Sequence, residues 1–203
     1  MNPMPRPLKT LLGAITLCVA LASCGQKDVQ WRTDSINGLM PDLAFNMTDD
    51  AGRPVSAETY RGKTVLLFFG YANCPDVCPT TLATLAQAIK ETKTHGANTV
   101  VLFVTVDPDR DTFTRMHDYA KAFGPWVIGL RGTQDELRKF TKRYRVTYSY
   151  GKPGKDGNYE VTHSTGVFVF DGSGRSRLLI LPRDPAAAIT ADLDQLAAIQ
   201  ASN

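Results

Sequence analysis

Two cysteines and one histidine are the residues in this 203-residue sequence whose types and spacing point to chemistry. Cys74 and Cys78 lie in the stretch FFGYANCPDVCPTTL, residues 68–82, between a continuous apolar run and a helical pattern. Pro75 and Pro79 each disfavour the α conformation in the residue before them. The sequence therefore predicts Cys78 as a helix N-cap, Pro79 as the first helical residue and Cys74 in the loop upstream. Unpaired amides and the positive end of a helix dipole favour a thiolate over a thiol. A thiolate is what both metal ligation and disulfide exchange require. Three uses stay open at this point. The pair could be small buried groups, although prolines and Asp76 flank it. It could be a redox pair, since a loop one residue longer than C-x-x-C does not exclude a disulfide. It could supply two soft ligands to Cu(I), which would need a third donor.

The elements that must position these residues can be read from periodicity. Residues 43–47 alternate and end in Asp49, Asp50 and Gly52, as a strand and turn do. Residues 64–69 (TVLLFF) and 99–106 are buried strands. Residues 79–94 carry Leu82, Leu85, Ala86 and Ile89 on one helical face. Asp111 is the expected cap of a helix bearing Phe113, Met116, Ala120 and Phe123. A short strand at 126–130 and a helix at 134–144 follow. Residues 159–162, 165–171 and 175–181 are β-rich, with Gly172-Ser173-Gly174 as a hairpin turn, and a helix closes the chain at 186–200. This order gives an α/β fold with a central mixed sheet flanked by helices. It is the thioredoxin plan with extra segments inserted.

That plan singles out His163 among three histidines. His95, beside Gly96, and His117, on a helix, read as surface residues. His163 stands in Val161-Thr162-His163-Ser164, just before a strand whose preceding loop packs on the cysteine loop in thioredoxin-like folds. Redox members of that fold place a proline there. Here none occurs between Pro153 and Pro182, so an imidazole faces the cysteines instead.

Residues 1–23 hold Arg6 and Lys9, no acid, and an apolar run of twelve at 11–22 (LLGAITLCVALA). The run is too short to span a bilayer and fits a secretory signal. Its end, Leu21-Ala22-Ser23-Cys24, resembles a bacterial lipobox, which makes Cys24 the expected lipidation site. The predicted organisation is a lipoprotein signal at 1–23, a polar membrane tether at 24–38 and one domain at 39–203. The mature chain would lie outside the cytoplasm on the periplasmic side, lipid-anchored to a bacterial membrane. Only Cys74 and Cys78 would remain free there, in an oxidising compartment. A formal charge of +3, most of it in the leader, leaves no electrostatic footprint for nucleic acid.

With these motifs in hand, the sequence resembles the SCO/SenC family of membrane-anchored copper proteins over roughly residues 40–200. The resemblance rests on residues 70–79 (GYANCPDVCP), 105–112 (TVDPDRDT), 144–148 (YRVTY) and 161–164 (VTHS). It implies copper, as Cu(I) or Cu(II), bound by Cys74, Cys78 and His163, with water or Asp76 completing a Cu(II) site. It implies delivery of copper to, or preparation of, the copper centre of cytochrome c oxidase. The implied partners are that oxidase's copper-bearing subunit, other copper chaperones and thiol–disulfide reductases. Thr162 stands where the family commonly has an aspartate. The alternative, of another class, is a thiol–disulfide reductase that cycles Cys74 and Cys78. In the acidic motif, Asp107 ends a strand near the cysteine loop and Arg110 is expected to pair with a neighbouring acid; neither is a ligand.

Overall fold

The structure is a computed structural model, and it describes Met1 and residues 29–202. The predicted signal, the lipobox with Cys24 and the start of the tether lie outside the described residues.

Seven consecutive residues without a polar break make a strand only where both faces are covered. β4 (Thr64–Gly70) and β5 (Thr99–Thr105) are such strands, paired in parallel at the centre of the sheet. β6 (Val127–Arg131) continues the parallel set beside β5. β9 (Val167–Phe170) lies antiparallel on the other side of β4, with β10 (Ser176–Ile180) beyond it. β2 (Asn46–Asp49) and β3 (Pro54–Ser56) form a hairpin outside β6. β1 (Asp34–Ser35) closes the far edge, so the eight-stranded order is β1-β10-β9-β4-β5-β6-β2-β3. A separate two-stranded hairpin, β7 (Tyr148–Tyr150) with β8 (Val161–His163), stands apart from that sheet.

The helices are α1 (Val77–Glu91), α2 (Phe113–Lys121), α3 (Gln134–Arg143) and α4 (Ala186–Ala201). Of the predicted stripe of α1, Leu82, Leu85 and Ile89 are buried, while Ala86 is half-buried and Ala88 is the alanine that enters the core. α3 opens with a capping box. Thr133 Oγ1 accepts the Glu136 amide, and Glu136 Oε2 accepts the Thr133 amide at 2.7 Å.

Three expectations need correction. Cys78 is not the cap of α1. The helix begins two residues earlier than expected, at Val77 with Asp76 as N-cap, so Cys78 is its second residue and Pro79 its third. Proline is tolerated there because its missing N–H would have no partner in the first turn. The bias of Pro79 on its predecessor is outweighed by drawing the Cys78 side chain into the core. Asp111 is not the cap of α2 either. Thr112 is, and its side chain accepts the Arg115 amide. Asp111 is fully buried and its carboxylate is spent elsewhere, as described below. Finally, the last residues of the segment read as tether belong to the sheet. Asp34 and Ser35 pair with Leu179 and Leu178. The buried Asp192 carboxylate of α4 accepts the Arg32 and Thr33 amides and the Thr33 hydroxyl at 2.8–3.1 Å. Polar composition marked this stretch as linker, but a short edge strand draws its stability from backbone pairing and one distant carboxylate.

Candidate metal centre

β4 ends at Gly70, and the chain turns at once into the cysteine loop. The Gly70 carbonyl accepts the Val106 amide at 2.8 Å, which ties the loop's start to the end of β5. A glycine is required by packing here: a Cβ would stand 2.7 Å from Phe103 Cε2 and 2.9 Å from Cys78 Sγ. Asp111 then fixes the next stretch. Its Oδ2 accepts the Ala72 amide at 3.0 Å and the Thr105 hydroxyl at 2.6 Å. This joins the loop to β5 through a carboxylate that local sequence assigned to capping.

Cys74 is half-buried and Cys78 is fully buried, and both are free thiols. The helix terminus serves them unequally. The Cys78 amide donates to Cys74 Sγ at 3.3 Å. Burial, helped by the neighbouring Cys74, pushes the Cys78 thiol strongly up. The expected thiolate-favouring environment therefore does not extend to Cys78.

His163, at the end of β8, completes the cluster. Its Nε2 lies 3.3 Å from Cys78 Sγ, and its Nδ1 lies 2.9 Å from the Ser164 carbonyl. A carbonyl can only accept, so Nδ1 carries the proton and the Nε2 lone pair points at the cysteines. Burial lowers the His163 pKa, against the opposing pull of the Ser164 carbonyl, and so favours the neutral ring. The ring is boxed edge-on by Tyr71 and Phe68, with centroids at 6.0 and 6.1 Å. Together Cys74, Cys78 and His163 place two sulfurs and an imidazole nitrogen within 4.8 Å of one another.

Two soft sulfurs and a neutral imidazole suit Cu(I), and loading would release thiol protons. Asp76 does not join them: its carboxylate stands 3.4 Å from the Thr80 hydroxyl, at the exposed start of α1. Thr162 is exposed between the inward-facing Val161 and His163. Strand alternation turns position 162 away from the donors, and the carbonyl of Ser164 orients the ring instead. His95 and His117 are exposed and far from this chemistry; His95 Nδ1 meets the Lys90 carbonyl and His117 faces Asp50. Arg110 pairs with Asp107 as expected, at 2.5 Å. The sequence did not reveal the roles of Tyr71, Asp111 or the Ser164 carbonyl. An aromatic residue three positions before the first cysteine was the only available sign of the first.

The fold and this site define a thioredoxin-like domain that carries a three-donor sulfur–nitrogen centre in place of a redox pair alone. Residues 38–198 match the SCO1/SenC family, and the chain belongs to it. A bovine relative, the mitochondrial Protein SCO2 homolog of Bos taurus, is 36% identical over 132 residues, 64% of this chain and 50% of that protein. The chain thus spans about half the length of that relative. The structure of Arabidopsis thaliana ScoI with copper bound superposes with a TM-score of 0.71 at 31% identity, covering 78% of this chain and 98% of that one. That of Bradyrhizobium japonicum ScoI with copper bound gives 0.70 at 33%, covering 76% and 98%.

Proposed function

We propose that this domain carries copper as cargo at Cys74, Cys78 and His163, and delivers it to, or prepares, the copper centre of cytochrome c oxidase. The observation that carries this reading is the convergence of the three donor atoms, with the Nε2 lone pair aimed at Cys78 Sγ. Two similar proteins, from Arabidopsis and Bradyrhizobium, have been solved with copper bound. A three-donor site with one half-buried sulfur suits transfer by ligand exchange. An incoming ligand from the oxidase's copper-bearing subunit, or from another copper chaperone, would meet Cys74 first. The working location is outside the cytoplasm, with Cys24 as the lipid anchor. No helix among the described residues is long and apolar enough to cross a membrane.

The asymmetry of the cysteines supports a second reading as a thiol–disulfide reductase. The accessible Cys74 would attack a partner disulfide as thiolate. The buried Cys78 would then resolve the mixed disulfide, leaving a Cys74–Cys78 bond and a reduced partner. Anaerobic Cu(I) titration of the reduced protein against a competing chelator separates the two. His163→Ala is expected to weaken one-to-one binding by about tenfold or more. Binding indifferent to His163 would remove the copper reading and leave the reductase.

A further inference from the structure

The distance between His163 and the cysteines is set by an element that is not part of the main sheet. His163 ends β8, and among the described residues β8 pairs only with β7. The base of this hairpin closes on itself, with the Ser164 amide donating to the Thr147 carbonyl at 2.9 Å. Its tip, residues 151–158, is exposed. The turn after β5 helps to seat it, together with Tyr71, which meets the Val161 backbone, and Gln134, which meets Tyr150. Tyr150 donates its hydroxyl to the Val106 carbonyl at 2.6 Å, and Tyr159 donates to Asp107 Oδ1 at 2.7 Å. Arg110 is the centre of this contact. Its Nε donates to the other oxygen of the buried Asp107 at 2.5 Å. Its Nη1 donates to the Tyr159 carbonyl at 2.9 Å and to Asn158 Oδ1 at 3.1 Å. The guanidinium also lies over the Tyr159 ring at 3.7 Å and within 5.9 Å of the Tyr71 ring. Tyr71 in turn stands edge-on to His163.

We propose that Arg110 is a positioning residue for His163, latching the β7–β8 hairpin so that the imidazole is held at the cysteine pair. The inference rests on the copper reading for its effect on metal, but its structural half stands independently. One side chain joins the buried Asp107, the hairpin backbone at Tyr159 and the aromatic wall of the site. Surface ion pairs contribute little. This one is different in kind, because a planar fork and a stacked ring fix an angle as well as a distance. Lysine at 110 would keep the charge on Asp107 and lose both the fork to the hairpin and the stacking.

The test is a double-mutant cycle with Arg110→Lys, Arg110→Ala and Tyr159→Phe, each in the native and the His163→Ala background. Two quantities are read. The first is hydrogen exchange at the Gly151 and Ser164 amides of the metal-free protein. The second is Cu(I) affinity by chelator competition. The latch predicts about tenfold faster exchange at these amides in Arg110→Lys and Arg110→Ala, with a smaller change of the same sign in Tyr159→Phe. It also predicts about tenfold weaker Cu(I) binding in the native background and less than twofold further weakening once His163 is alanine. An equal loss in both backgrounds would show general damage and overturn the proposal, as would unchanged exchange. Should Arg110→Ala fail to fold, Arg110→Lys and Tyr159→Phe decide the outcome. If His163→Ala alone leaves Cu(I) affinity unchanged, the copper reading falls, and exchange alone judges the latch.

Discussion

Gly70→Ala couples core packing to the metal site in one methyl group. The added Cβ would stand 2.9 Å from Cys78 Sγ and 2.7 Å from Phe103 Cε2, where ordinary contact begins near 3.4 Å. The sulfur and the ring would each have to retreat by roughly half an ångström or more. Neither can do so freely. Both residues are fully buried, and the Phe103 ring is held between Phe68 and Tyr119 at 5.9 and 5.3 Å. Overpacking of this kind costs about 1–3 kcal/mol, offset by about 0.5–1 kcal/mol that alanine gains over glycine in a strand. The net expectation is about 1 kcal/mol of lost stability, a fall in Tm of roughly 2–4 °C for a domain of this size. Cys78 Sγ is also displaced relative to His163 Nε2, so Cu(I) affinity should fall about tenfold. Thermal melting of the metal-free protein reads the first effect and chelator competition the second. Gly129→Ala is the control. Its Cβ would meet Met116 Cε at 3.0 Å, Met116 Cβ at 3.1 Å and Asp50 Cβ at 3.2 Å, all away from the cysteines, so it should lower stability as overpacking does and leave copper affinity unchanged. The reasoning is refuted if Gly70→Ala lowers Tm but leaves copper affinity within twofold, because Phe103 would then absorb the whole displacement.

Asp111→Ala should cost about 2–3 kcal/mol, since the Ala72 amide and the buried Thr105 hydroxyl each lose their acceptor. It should also raise the rate at which Cys74 reacts with an exposed-thiol reagent. Asp192→Ala should free the segment at residues 31–35, and trypsin should then cut after Arg32 faster than in the native protein. Asp171 gives the acid limb. Burial alone would raise its pKa, but hydrogen bonds from Ser173, Arg175 and Arg177 outweigh burial and hold it below the ordinary 3.8. A depressed carboxylate contributes stability above its unfolded pKa and loses it as pH falls through the folded one. Urea midpoints should therefore decline below about pH 4, and Asp171→Asn should be less stable at neutral pH with a flatter decline.

The parts of the fold that were legible in the sequence are those governed by short-range periodicity. The unbroken apolar runs of β4 and β5 and the stripe of α1 could mean little else. The cysteine pair was legible because it combined a rare spacing with an element junction. Local rules failed where a residue had two possible employers. Asp111 and Thr112 can both cap a helix. Thr112 does so because the Asp111 carboxylate is claimed by Ala72, 39 positions away. Cys78 was placed at the cap by the proline after it, but a buried sulfur outweighed that preference. β1 was hidden because its partners, β10 and Asp192, are about 145–160 residues distant. His163 was recoverable only by combining the fold plan with the absence of a proline. Nothing in the sequence announced that the Ser164 carbonyl would orient its ring.

The contact between Cys78 and His163 closes a loop of 85 residues. A chain that emerges from its N-terminus presents the two sulfurs well before the imidazole exists. At about 5–20 residues per second the interval is roughly 4–17 seconds. Throughout it, a neighbouring dithiol can be oxidised, or can take up any soft ion, without the residue that completes its selectivity. The order of synthesis therefore creates an interval in which the dithiol exists without the third donor that the finished domain holds beside it.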